Sequence, residues 1–160
     1  MKNVDTLINH LEANARDELA AQEGILKLLH EQERAIVEGK TELVAELAKR
    51  LQGESANASR RAGTRQQVLK AIANAWSVPV GAMTLGSIAE RAGQRGDRLL
   101  HLRTSLREKA SEVLRKNRRV AAVARLHHHV VREVIDTILT DESGSSVQEN
   151  PAGALIDAEA

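Results

Sequence analysis

Apolar side chains recur every three or four residues through three long stretches of this chain, and that spacing constrains the fold more than any other feature. In the first stretch Val4, Ile8, Leu11, Ala15, Leu19, Leu26, Leu29 and Ile36 fall on one line. Such a line is a stripe along one face of an α-helix, of the kind that meets another helix in a narrow seam. The second stretch carries Val44, Leu47, Leu51, Ala58, Ala62, Leu69, Ile72 and Trp76 at the same spacing. The third carries Leu99, Leu102, Leu106, Ala110, Val113, Val120, Ala124, Val131, Val134 and Ile138, with Asn117 and His127 standing in the stripe. Only two prolines interrupt 160 residues, and Trp76 is the lone aromatic. A core without Phe or Tyr suits helix seams better than a sandwich or an α/β layer.

The breaks between stripes set the topology. Gly39 is a natural left-handed residue after a helix, and Thr41 is placed to cap the next one. So short a connection predicts an antiparallel hairpin in which facing residues sum to about 79. Pro79 ends the second helix, because the residue before a proline is pushed out of the α region. Thr84 followed by Leu85, Ile88 and Ala89 predicts a short capped helix inside the glycine-rich segment 77–96, and Asp97 is placed to cap the third long helix. The expected fold is all-α: three long antiparallel helices, a hairpin plus a long C-terminal helix, in an elongated coiled-coil-like bundle. A single domain should cover 1–140, and residues 141–160, acidic and rich in Ser and Gly, read as a disordered tail.

Charge is unevenly distributed. Residues 1–59 carry a net −4, residues 60–140 a net +10 and residues 141–160 a net −5. The hairpin register sets Glu12, Asp17, Glu18 and Glu23 against Arg60, Arg61 and Arg65, so part of the asymmetry is expected to pair internally. From Gln52 to Gln67 the second helix has no large apolar side chain, which predicts a thin middle to the hairpin. The first residues hold too many charges for a secretory signal. No apolar run approaches the roughly 20 residues that span a bilayer. A cytoplasmic protein without membrane insertion is expected.

No constellation for catalysis emerges. There is no cysteine. His127, His128 and His129 are adjacent on a helix, about 100° apart, so they cannot share one metal; His129 with Glu133 is a pair, and two ligands are too few for a site. No carboxylate stands three residues before any histidine, as a di-metal bundle requires. Phosphate-binding and nucleophile motifs are absent. The expectation is therefore no enzyme, no cofactor, no metal and no small-molecule substrate. Arg115, Lys116, Arg118 and Arg119 form a basic cluster, but without aromatic stacking platforms nucleic acid is not the expected partner. Asn117 is expected to set register or partner choice through a cross-helix hydrogen bond.

The strongest functional signal lies within the third long helix. Of the residues from Leu99 to Arg118, 7 of 20 are apolar; from Val120 to Leu139, 12 of 20 are. A helix needs one stripe to dock on its own hairpin. The surplus marks Val123, Leu126, Val130, Val134, Ile135 and Leu139 as partner-binding, the partner being a second copy or a different protein. A wider contact with Leu43, Leu47 and Leu51 inside the fold would use the same residues.

The stretch from Ile25 to Gly39, with Leu28-Leu29, Glu31, Ile36-Val37 and Gly39 in order, followed by Leu43 and Leu47, resembles the FlgN-type flagellar export chaperones. So do Thr84-Leu85-Gly86-Ser87-Ile88-Ala89, and Leu114-Arg115-Lys116-Asn117 followed by Val131 and Ile138. The resemblance covers about residues 4–140. It implies a cytosolic type III export chaperone that holds the hook–filament junction proteins (the hook-associated proteins) soluble and delivers them to the export gate. It also implies that the client is held by the C-terminal part of the last helix, where the apolar surplus lies. A coiled-coil protein that homodimerises through this stripe and a nucleic-acid-associated helical protein are the competing readings.

Overall fold

A computed structural model describes residues 2–144, and among them every regular element is helical. Four α-helices follow one another: α1 (Lys2–Val37), α2 (Thr41–Trp76), α3 (Leu85–Ala92) and α4 (Asp97–Gly144). Short 3-10 turns at Val80–Ala82 and Gly93–Gly96 fill the segment around α3. Contacts divide the chain into two units, Met1–Ala124 and Arg125–Ala160. The boundary expected after residue 140 falls inside α4. Residues 145–160, most of the expected acidic tail, lie outside the described residues.

In the first unit α1 and α2 form a hairpin. Gly39 turns the chain with φ +68°, while the Lys40 N–H donates to the Ala35 carbonyl at 2.9 Å and closes the end of α1. Thr41 is not a cap: it is already the first helical residue, and Lys40 occupies the cap position with no side-chain bond. The Gly39 turn completes one residue earlier than the spacing suggested. Asp97 likewise has helical dihedrals (φ −57°, ψ −40°), because the 3-10 turn before it feeds α4 without a non-helical residue between them.

The register places Glu18 on Arg61 at 2.8 Å, a pair summing to 79. Glu54 reaches the same guanidinium at 3.9 Å. Glu12 instead bonds Arg16 of its own helix at 2.9 Å. Between the two helices the Asn14 amide donates to the Arg61 carbonyl at 3.2 Å. Polar pairing thus occupies the stretch where large apolar groups are missing.

Apolar packing is concentrated on either side of that stretch. At the base, Leu11, Ile72, Ile88 and Leu99 are fully buried together with Ile8, Ala73, Ala89 and Met83. The short α3 supplies Ile88 and Ala89. Its start is secured by Thr84, whose hydroxyl accepts from the Ser87 N–H at 3.0 Å while Ser87 Oγ accepts from the Thr84 N–H at 2.9 Å. This reciprocal cap satisfies two helix-end donors. Gly96 has a separate reason: a Cβ there would lie 2.0 Å from the Ala89 carbonyl oxygen, so only glycine lets α3 and the start of α4 approach. Toward the turn, Leu28, Ala35 and Leu47 form one cluster. Leu29, Ile36 and Val120 form another, with Val113, Val123 and Ala124 of α4 packed against it.

Candidate functional site

The basic cluster of α4 is divided between internal and external duty. Lys116 and Arg119 both bond Glu33, which stands in the apolar stripe of α1. The Lys116 ammonium, aided by Arg119, holds the Glu33 carboxyl below the usual carboxylate range against the opposing effect of burial. Arg115 and Arg118 are exposed. A charge in the seam thus joins α1 to α4 within the first unit, flanked by the Leu29–Ile36–Val120 cluster.

Asn117 is exposed. No cross-helix hydrogen bond from it occurs among the described residues. It lines an open cleft of about 610 Å³ with Ile25, Leu29, Leu51, Val113 and Leu114.

The six apolar residues expected to bind a partner separate into two groups. Val123 is half-buried against Leu29, Ile36 and Val120 in the first unit. The other five lie in the helical stretch of the second unit and are exposed: Leu126 by 64%, Val130 by 48%, Val134 by 52%, Ile135 by 50% and Leu139 by 58%. Val131 and Ile138 are exposed too. Their spacing continues the stripe by which α4 docks in the first unit, so periodicity alone does not mark them as exposed.

At about 100° per residue, the seven exposed side chains from Leu126 to Leu139 spread over an arc of roughly 220°. Arg125, Arg132, Glu133 and Asp136 take the remaining side. A helix seam needs an apolar arc of only about 100°. The surface is therefore wider than one line of helix contact. His127 lies near the middle of the arc, and His128 and Thr137 are its other polar members; all three are exposed. His129 Nε2 lies 3.3 Å from Glu133 on the polar side. No group of three or more metal-ligating side chains forms among the described residues. No described helix is long and apolar enough to cross a membrane. What the arrangement offers is a wide apolar contact surface with a charged back.

A family model described as FlgN protein matches residues 1–149 of the chain. No curated protein and no solved structure matches it.

Proposed function

The chain belongs to the FlgN protein family, a chaperone family, and from that premise we propose that it is a cytoplasmic, non-enzymatic type III export chaperone for the flagellar hook–filament junction proteins. Its apolar face Leu126–Leu139 receives an amphipathic terminal helix of the client and presents it to the export gate. The first unit is the body of the chaperone, built as three long antiparallel helices in a coiled-coil-like bundle. A domain over 1–140 with an acidic tail over 141–160 belongs to the same reading, as does a role for Asn117 in register.

The observation that carries the proposal is the exposure of seven large aliphatic side chains within fourteen residues. Contiguous apolar surface of this kind marks an interaction site. Helix-in-groove recognition reads anchors at i, i+3, i+4 and i+7, which is the spacing of Val131, Val134, Ile135 and Ile138. An arc of roughly 220° suits a client that contacts the helix along two lines. A client segment that orders on binding gives modest affinity and easy release, as a delivery role requires.

The double substitution Leu126→Glu, Val130→Glu tests this. Both side chains are about half exposed, so a client can gain roughly 1 kcal/mol from each, and burying a carboxylate adds a further penalty. Client binding should weaken on the order of 100-fold, with helicity and melting temperature near wild type. A folded variant that still co-purifies with the junction proteins would show that the site lies elsewhere. A sharply lowered melting temperature would mean that these residues serve the chain's own fold.

A further inference from the structure

We propose a second docking surface, in the first unit: the open cleft between α2 and α4, which takes an acidic amphipathic segment of a partner protein. Leu114 is 51% exposed on α4 and lines the cleft of about 610 Å³ with Ile25, Leu29, Leu51 and Val113. Arg107 lies seven residues before Leu114 and Arg118 four after it, spacings that set all three on one face of the helix. Both arginines are exposed, and among the described residues no carboxylate pairs with either. This separates them from Lys109, Lys116 and Arg119, each of which bonds a glutamate.

The neighbouring charges favour an acidic occupant. The cleft's two carboxylates, Glu18 and Glu54, both face Arg61, at 2.8 and 3.9 Å. From 103 to 118 the face bearing Arg103, Arg107, Leu114 and Arg118 carries no acidic residue; Glu108 and Glu112 stand roughly 100° and 140° round the helix from Arg107. Inside the cleft the Gln22 side-chain oxygen is buried with no hydrogen-bond partner. A buried acceptor left unpaired is costly, and a small rotation of the Gln22 side chain toward the cleft lets a donor of the occupant satisfy it. The occupant is thus specified by chemistry: an aliphatic side chain for the cleft, carboxylates one to two turns on either side for Arg107 and Arg118, and an amide or hydroxyl donor for Gln22. This surface is independent of the Leu126–Leu139 face.

The test uses the full chain and three probes: a synthetic amphipathic peptide with leucine at i, i+4 and i+7 and glutamate or glutamine elsewhere, the same peptide with lysine for glutamate, and a mixed-sequence DNA duplex. The glutamate peptide should bind saturably. Binding should fall about tenfold with Arg107→Glu, Arg118→Glu, and should fall comparably with Leu114→Asp. It should persist in Leu126→Glu, Val130→Glu, while Arg107→Glu, Arg118→Glu should leave client co-purification intact. Those crossed results keep this inference separate from the client reading. Equal binding of the lysine peptide, no effect of charge reversal, or loss of peptide binding in the Leu126/Val130 variant would overturn the proposal. DNA binding tighter than the glutamate peptide at physiological salt would reassign the arginines to phosphate contacts.

Discussion

Leu99 and Leu126 stand on one continuous helix, yet the first is fully buried and the second is 64% exposed. Their surroundings differ in the same way. Around Leu99, α1, α2 and α3 all contribute side chains, and Ile8, Leu11, Ile72 and Ile88 close over it. From Leu126 to Leu139 the helix is richer in aliphatic residues, but they remain on the surface. Apolar content by itself does not decide burial. In the first half a sparse stripe is matched to neighbours of the same chain; in the second, a dense and wide arc exceeds what one seam can use.

Truncation of the two leucines should have opposite consequences. Leu99→Ala should cost about 2–5 kcal/mol of stability, since it leaves a cavity in a closed cluster. Leu126→Ala should change stability by no more than about 0.5 kcal/mol, as for surface positions generally. Chemical denaturation of the two variants measures both, and equal losses would mean that the second half of α4 is a core element. Next in size is Gly96→Ala, which drives a methyl group into the Ala89 carbonyl. It should cost roughly 1–3 kcal/mol and expose α3 to proteolysis, whereas the helical Gly53, with nothing within 4 Å of its would-be Cβ, should tolerate alanine.

The smallest effect sharpens the electrostatic side. Glu33→Gln removes the charge that holds Lys116 and Arg119, and should cost about 1–2 kcal/mol near neutral pH. Because the folded-state pKa of Glu33 is lowered, its contribution is fully present above the ordinary carboxylate range and disappears as pH falls through the depressed value. Thermal melts from neutral to acid pH should therefore converge for the wild type and the variant. A gap that stays constant through the acid range would show that Glu33 acts through packing alone.

Much of the first unit was legible from spacing. The 3–4 stripes locate the helices, Gly39 the turn, Pro79 the end of α2, and Thr84 the start of α3. The register sum near 79 anticipates the Glu18–Arg61 pair. The misplaced caps at Thr41 and Asp97 show where local rules stop. Cap identity depends on how the preceding turn closes its hydrogen bonds, and a 3-10 turn running directly into a helix leaves no place for a separate cap. The Thr84–Ser87 box is not legible from spacing, because the reciprocal position carries Ser rather than Glu or Gln.

The candidate site was legible in part, and for a physical reason. Periodicity gives each residue an angle around its helix, so the sequence alone determined that the half of α4 after Val120 has more apolar surface than one seam requires. It could not decide which of those residues meet a neighbour. Val123 and Val130 differ by seven residues and share nearly one helical angle, yet Val123 packs on Leu29 and Ile36 while Val130 is exposed. Val131 and Ile138 continue the buried stripe in angle and are nevertheless exposed. The same limit applies to Lys116 and Arg118, close in sequence and alike in charge, of which only the first meets Glu33. Angle is a property of one helix and is written in its own residues. Burial and pairing require a second surface at the right height, and only the packing of α1, α2 and α3 against α4 supplies it.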